Sequence, residues 1–264
     1  MKTTVKDVIA RMRPEGAGPF ASDVLISGNP DSEVRSVAVA FSPSHDVVSR
    51  AVASGADLLI AHEGVYYSHY HDPARLADDP VAKEKTDLIS RSGLAIYRCH
   101  DFWHRTSPDG IMLGLVRTIG WEAAVERHDA VHSVVSLPEP AALGDIVERI
   151  KSRLGLPFVR VAGDPAQPCR RIGLTAGYRG GGELALPLYE RERIDLLIVG
   201  EGPEWETPEY AGDAIAQGRA RALLVLGHAE SEIPGMRLLA EWLGERLPGV
   251  PVRYIESTPP LRWA

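Results

Sequence analysis

The nine histidines of the chain fall mostly into three groups: His62 with His69 and His71, His100 with His104, and His228 with Glu230 and Glu232. In the first, Ile60-Ala61-His62-Glu63-Gly64 offers an imidazole and a carboxylate on consecutive residues, donor types that suit a borderline divalent cation such as Zn, Fe, Mn or Co. In the second, Cys99-His100-Asp101-Phe102-Trp103-His104 sets two imidazoles four residues apart, on one face wherever the backbone is helical. In the third, Gly227-His228-Ala229-Glu230-Ser231-Glu232 puts Glu232 four residues past His228, just before a helix expected over 234–246, where the helix dipole favours a carboxylate. Taken singly, each group has an ordinary reading as a hydrogen-bonded strand-end histidine or a helix-capping glutamate. Together, three His-and-carboxylate groups at strand ends are what a metal site assembled from separate loops requires. His69 and His71, in Ser68-His69-Tyr70-His71-Asp72-Pro73, read as loop residues, and His45, His128 and His132 as structural.

Other residues offer less chemistry. Ala176-Gly177-Tyr178-Arg179-Gly180-Gly181-Gly182-Glu183 follows a strand and opens a helix, so its amides could cradle an anion, yet it lacks both the dinucleotide spacing and the P-loop lysine. A tight turn or pocket wall is the expected role. Cys99 and Cys169 lack a nucleophile elbow or a paired motif. Trp205 and Glu206 could line a cleft or pin a surface loop. The loops over 65–79 and 202–209 are where pocket specificity would be set.

The elements that must hold these residues read as α/β. Short Val/Ile/Leu runs over 37–41, 58–61, 94–98, 131–137, 158–162, 172–175, 196–199, 222–226 and 252–255 alternate with helical segments, among them 44–54 and 143–154. Asp57-Leu-Leu-Ile-Ala-His-Glu-Gly64 recurs as Asp195-Leu-Leu-Ile-Val-Gly-Glu-Gly202, with six of eight positions identical at an offset of 138 residues. Each copy follows a strand, a loop and a helix, so the repeat is of a β-α-β unit, and the chain reads as two related α/β lobes. The proline-bearing connection over 137–141 divides it into lobes 1–136 and 137–264, with some intertwining. Where the copies differ, the first has His62 and the second Gly200, at the carboxyl end of a strand where open α/β sheets bind ligands.

Length and composition agree with this reading. The 264 residues are 44% hydrophobic and 25% charged, a globular mixture. The net charge of −7 disfavours nucleic acid and anionic membranes unless a local basic patch overrides it, and no such patch stands out along the sequence. Two distant cysteines, an N-terminus without an apolar leader and no membrane-length apolar run predict a cytoplasmic protein.

In this order and on this scaffold, the three motifs resemble those of the GTP cyclohydrolase 1 type 2 homologue (NIF3-like) family over nearly the whole chain. The family's His-His-Pro or His-His-Gly is matched by His62-Glu63-Gly64, its His-x-x-Leu-Asp by His100 through His104, and its Gly-His-x-x-x-Glu intact by Gly227 through Glu232. The glycine-rich segment and the DLLIVGE run that follows it also correspond. The resemblance implies two divalent metal ions in a cleft between the related lobes, a ring-shaped homohexamer, and the ligands His62, Glu63, His104, His228 and Glu232 with His100 beside them. This chain departs from the pattern at two places, with Glu63 where the family has a second His and His104 where it has an Asp. The imidazole and carboxylate are thus exchanged between two motifs, which leaves one ion or two open.

Ions about 3.5–4 Å apart activate water and polarise a carbonyl, so the expected reaction class is metal-dependent hydrolysis; the resemblance to the family implies, as its target, a C–N bond in a small cyclic amide, imide or purine-like heterocycle. Glu63, Glu230 or Asp101 would serve as general base and His100 as proton donor. The competing reading is a metal- or metabolite-binding regulatory or scaffold protein without turnover. A nucleotide-binding protein without metal is disfavoured by the missing phosphate fingerprint.

Overall fold

The computed structural model describes residues 2–12, 20–69, 73–258 and 260–261. In chain order the elements begin with α1 Val5–Met12, β1 Leu25–Ser27, β2 Val37–Ala40, α2 His45–Ala53, β3 Leu58–Ala61, α3 Pro80–Ser92, β4 Ala95–Arg98 and α4 Asp101–His104. They continue with α5 Gly110–Ile119, β5 Val125–His128, β6 Ser133–Ala142, α6 Leu143–Leu154, β7 Arg160–Ala162, β8 Pro168–Leu174 and α7 Gly182–Arg191. The last are β9 Leu196–Val199, α8 Thr207–Ala216, β10 Ala222–Val225, α9 His228–Arg246 and β11 Val252–Tyr254. No helix among the described residues is long and apolar enough to cross a membrane.

The chain forms two compact units, Met1–Arg105 with Met236–Ala264 and Thr106–Gly235. This differs from a break at 136/137. The two prolines that suggested a linker there, Pro138 and Pro140, lie inside β6, which pairs Ser133–Ser136 with β8, loses register, and pairs again at Ala141 and Ala142. The register break absorbs the missing N–H donors, so the strand continues through the prolines.

Unit 1 carries a five-stranded sheet in the order β1-β4-β3-β2-β11, parallel except for β1, and unit 2 a six-stranded sheet in the order β5-β6-β8-β9-β10-β7. All four residues of β2, β3, β4, β9 and β10 are buried, as expected of strands covered on both faces. The helices start and stop on local chemistry. Ser44 Oγ accepts the Val47 N–H and Asp79 Oδ1 the Ala82 N–H, while Gly93, Gly120 and Gly155 end α3, α5 and α6 in the left-handed region.

The repeat seen in the sequence is a repeat of hydrogen bonds. Asp57 Oδ2 accepts the N–H groups of Arg35 and Ser36, and Asp195 Oδ2 those of Arg170 and Arg171, at 2.8–3.2 Å. The Asp57 and Asp195 carbonyls then accept from Ala95 and Ala222, which head β4 and β10. Each DLLI aspartate therefore ties together the starts of three parallel strands.

The copies diverge at their carboxyl ends for a steric reason. A Cβ on Gly200 would lie 2.5–2.6 Å from the Gly177 backbone and Ser231 Oγ, so no side chain fits where unit 1 carries His62. They diverge at the helix ends too. The turn after α2 passes through Gly55 at φ +73°, but the matching turn after α7 uses Arg193 at φ +51°, a conformation that costs an L-residue roughly 1–2 kcal/mol. Gly200→Ala is expected to lower the unfolding free energy by about 1–3 kcal/mol in a urea titration. An unchanged midpoint would contradict the close approach.

Candidate metal centre

In unit 1, His62 leaves the end of β3, and the short helix α4 carries His100 at its N-cap and His104 at its last position. The spacing expected to align two imidazoles is thus realised on one helical turn. His62, His100 and His104 bring one ring nitrogen each to within 4.8 Å of the others, and their ring centroids are 4.4–5.0 Å apart. His62 is fully buried and His104 nearly so. Burial first, then the His62 and His104 rings, pushes His100 down to about 3. His62 Nδ1 lies 3.2 Å from the Cys99 carbonyl, which can only accept, so the proton sits on Nδ1 and Nε2 keeps the lone pair a metal would use.

Two residues absent from the sequence reading hold this cluster. Asp23, buried, accepts the backbone N–H groups of His100, Asp101 and Phe102 at 2.7–2.8 Å and so fixes the start of α4. Burial pushes its carboxyl upward against the pull of those three donors. Arg98, buried at the end of β4, donates Nε–H to the His62 carbonyl at 3.2 Å and holds the His69 carbonyl as well. Its Nη2 also donates to His69 Nδ1 at 3.2 Å, and the His69 ring stands edge-on to His100 at 5.0 Å. His69 is a loop residue, as its sequence suggests, and it also forms part of the cluster's wall; His71 lies outside the described residues. No motif marks Asp23 or Arg98, because their roles depend on backbone groups distant in sequence.

Glu63, half-buried beside His62, exerts its charge on both Arg98 and His100. Asp101 is engaged with its neighbours, 3.3 Å from His100 Nδ1 and 3.8 Å from Arg105. Burial raises its carboxyl, but the hydrogen bond with His100 together with the Arg105 charge holds it below the usual range.

In unit 2, α9 begins at His228, six residues before the expected start. The Ser231 N–H bonds the Gly227 carbonyl and Ser231 Oγ donates to the His228 carbonyl, so Pro234 falls inside the helix instead of opening it. His228 and Glu232 consequently share one helical face, with Nε2 and Oε2 3.2 Å apart, and Nδ1 lies 2.8 Å from Glu201 Oε1. A neutral imidazole has one proton, and Glu201 takes it. A second carboxylate against Nε2, on a Glu232 that is 2% exposed, calls for a further proton or a cation at that nitrogen. Glu201 is the repeat counterpart of Glu63; only its place in the repeat signalled it.

The backbone leaves room for this pair. Gly177, at φ +60°, has its N–H bonded to Ser231 Oγ, and a Cβ there would come within 2.1 Å of Glu232 Oε1. Glu230 folds back over Gly227, whose added Cβ would meet its carboxylate at 2.1 Å. The anion cradle considered at the glycine-rich turn is filled by the chain itself, as Glu206 Oε2 accepts the Gly182 N–H at 2.6 Å, while Trp205 is exposed. Both thiols are buried and pushed up by burial, Cys169 to about 11, which suits no nucleophile. His132 stands against Asp129 and Glu192, but Arg127 and Arg171 pair with the same carboxylates, an ion-pair network in keeping with its structural reading.

The neutral His100 carries a pH signature. Its folded value of about 3 lies below the ordinary 6.5, so the unfolded chain binds the proton first and stability falls as pH drops from 6.5 towards 3. On chelator-treated protein, the urea midpoint of the wild type is expected to fall through that window and that of His100→Asn to fall less. Identical slopes would show that the buried imidazole is not the source.

Known proteins share this arrangement of elements. The GTP cyclohydrolase 1 type 2 homolog of Clostridium perfringens (strain 13 / Type A) is 23% identical over 230 residues, covering 84% of this chain and 83% of its own. That of Archaeoglobus fulgidus is 27% identical over 222 residues, 81% of each chain. Among solved structures, a Bacillus cereus protein related to NIF3 matches over 100% of both chains with a TM-score of 0.79 at 14% identity. Reduced HcgD from Methanocaldococcus jannaschii matches 96% of this chain and 98% of its own with a TM-score of 0.69 at 15% identity, and likeness at such identities shows the fold. Residues 20–260 match the family described as Duf34/NIF3 (NGG1p interacting factor 3), and the chain belongs to that family.

Proposed function

We propose that this chain is a metal-dependent hydrolase that cleaves a C–N bond in a small cyclic amide, imide or purine-like heterocycle. The observation that carries the reading is the buried convergence of His62, His100 and His104, with the His62 Nδ1 turned to the Cys99 carbonyl and its Nε2 left to face a cation. The donor set fits a borderline divalent ion: three imidazoles with Glu63 in unit 1, and His228 with Glu232 in unit 2. We assign these six residues as ligands of two ions drawn from Zn, Fe, Mn and Co. When bound, such ions supply Lewis acidity towards a carbonyl or ring carbon and activate water near neutral pH.

The chain's own residues do the positioning. Glu201 orients His228, Asp23 fixes the backbone from which His100 and His104 project, and Arg98 holds the His62 carbonyl. Of the carboxylates named as candidate bases, Glu63 is a ligand in this scheme, Asp101 is engaged by His100 and Arg105, and Glu230 rests against Gly227, so no general base is assigned. The names of the curated relatives support C–N hydrolysis as the reaction class, and the ring-shaped homohexamer belongs to the same proposal.

Elemental mass spectrometry on protein purified without chelator or immobilised nickel is expected to find about two transition-metal ions per chain. About one would mean that the Glu63 and His104 exchange has removed a subsite. His104→Ala and Glu232→Gln are expected to lose metal and turnover together, and Glu201→Gln to weaken metal affinity about 10–100-fold. Turnover by a metal-free Glu232→Gln protein would overturn the hydrolase mechanism, and retained metal without turnover on any cyclic amide or heterocycle would favour a binding role.

A further inference from the structure

The internal repeat makes unit 1 a control for unit 2, because matching positions meet the same backbone demands. Arg193 occupies the left-handed position that Gly55 fills in the first copy, 138 residues earlier. A second difference stands at the next strand. Only Leu94 separates the left-handed Gly93 from β4, whereas Arg219, Ala220 and Arg221 separate the left-handed Gly218 from β10. Unit 2 therefore spends conformational strain on one arginine and extra chain on two more.

These three arginines, scattered in the sequence, line one open surface groove of about 310 Å³, together with Tyr189, Glu190 and Asp195. It opens where β9 and β10 begin, at the end of that sheet opposite His228. The acidic groups of the wall are already committed. Glu190 accepts from Arg221, whose Nη1 also donates to the Tyr189 carbonyl at 2.8 Å, and Asp195 holds the Arg170 and Arg171 N–H groups. The Arg219 guanidinium donates to the Gln217 side chain at 3.3 Å, and neither Arg193 nor Arg219 forms an ion pair among the described residues.

We propose that this groove binds the di- or triphosphate group of a small molecule, with Arg193 and Arg219 as the binding forks and Arg221, held by Glu190 and the Tyr189 carbonyl, as a fixed part of the wall. Guanidinium pairs suit this ligand because their planar donors match phosphate oxygens two at a time. The site is separate from the imidazole cluster and does not rest on the hydrolase reading. It is the local basic patch that the linear sequence does not show, since residues 193, 219 and 221 come together only through the β9–α8–β10 crossover.

The test is calorimetric titration of the full-length protein with inorganic pyrophosphate and with ADP at constant ionic strength, alongside thermal unfolding. Wild type is expected to bind pyrophosphate, and Arg193→Gly and Arg219→Ala each to weaken binding about tenfold or more. Arg193→Gly is also expected to melt at or above the wild-type temperature, because glycine relieves the left-handed turn; this separates lost binding from lost folding. His62→Ala should bind pyrophosphate as wild type does. Tighter binding of ADP than of pyrophosphate would identify a nucleotide as the source of the phosphates, and equal binding the phosphates alone. Unchanged affinity in the Arg193→Gly, Arg219→Ala double variant, affinity lost in His62→Ala instead, or no binding at millimolar pyrophosphate would each overturn the proposal.

Discussion

Each unit is organised by an aspartate at the foot of its central strand. Asp57 and Asp195 accept two N–H groups from the start of the preceding strand, while their own backbone groups fix the strands on either side. A charged acceptor held by two backbone donors contributes about 1.5–3 kcal/mol per bond, and here it also sets register. With the feet of β2, β3 and β4 aligned, their carboxyl ends emerge together, and His62, Arg98 and His100 follow from there. In unit 2 the same device under β8, β9 and β10 places Gly177, Glu201 and His228 at a common level.

The imidazole cluster is built against a solvation penalty. Three rings within 5.0 Å of one another cannot share positive charge in a buried place, and the depressed His100 value is the direct result. His100 at least is prepared for a cation, because it need not lose a proton as the ion binds. The pair in unit 2 reaches the same condition by a different route, with an imidazole enclosed by the carboxylates of Glu201 and Glu232. One half is short of cationic charge through imidazole lone pairs, the other through surplus carboxylate.

Much of this was legible in the sequence, for identifiable reasons. The buried strands announced themselves because a parallel strand covered on both faces is apolar throughout, and the repeat was visible because the DLLI aspartate cannot be exchanged without losing its two backbone donors. The spacings His100–His104 and His228–Glu232 were readable because one helical turn returns a side chain to the same face. What stayed hidden depends on backbone partners far along the chain. Asp23 serves amides 77 to 79 residues away, and Arg98 a carbonyl 36 residues back. The division at 136/137 misread Pro138 and Pro140, since a register break lets a strand carry prolines that would end a regular one. The start of α9 misread Pro234 as a first-turn residue when Ser231 had already closed the turn before it.

The crowding around Gly200 also has a historical consequence. With the Gly177 backbone in contact with that position and Ser231 bonded to the Gly177 N–H, no single substitution there can place an imidazole in the second copy. The two halves of the repeat are therefore not interchangeable: the first supplies a strand-end histidine, and the second supplies the space that Glu232 occupies. A close backbone approach of this kind works as an evolutionary ratchet, making the asymmetry of an initially symmetric protein hard to reverse.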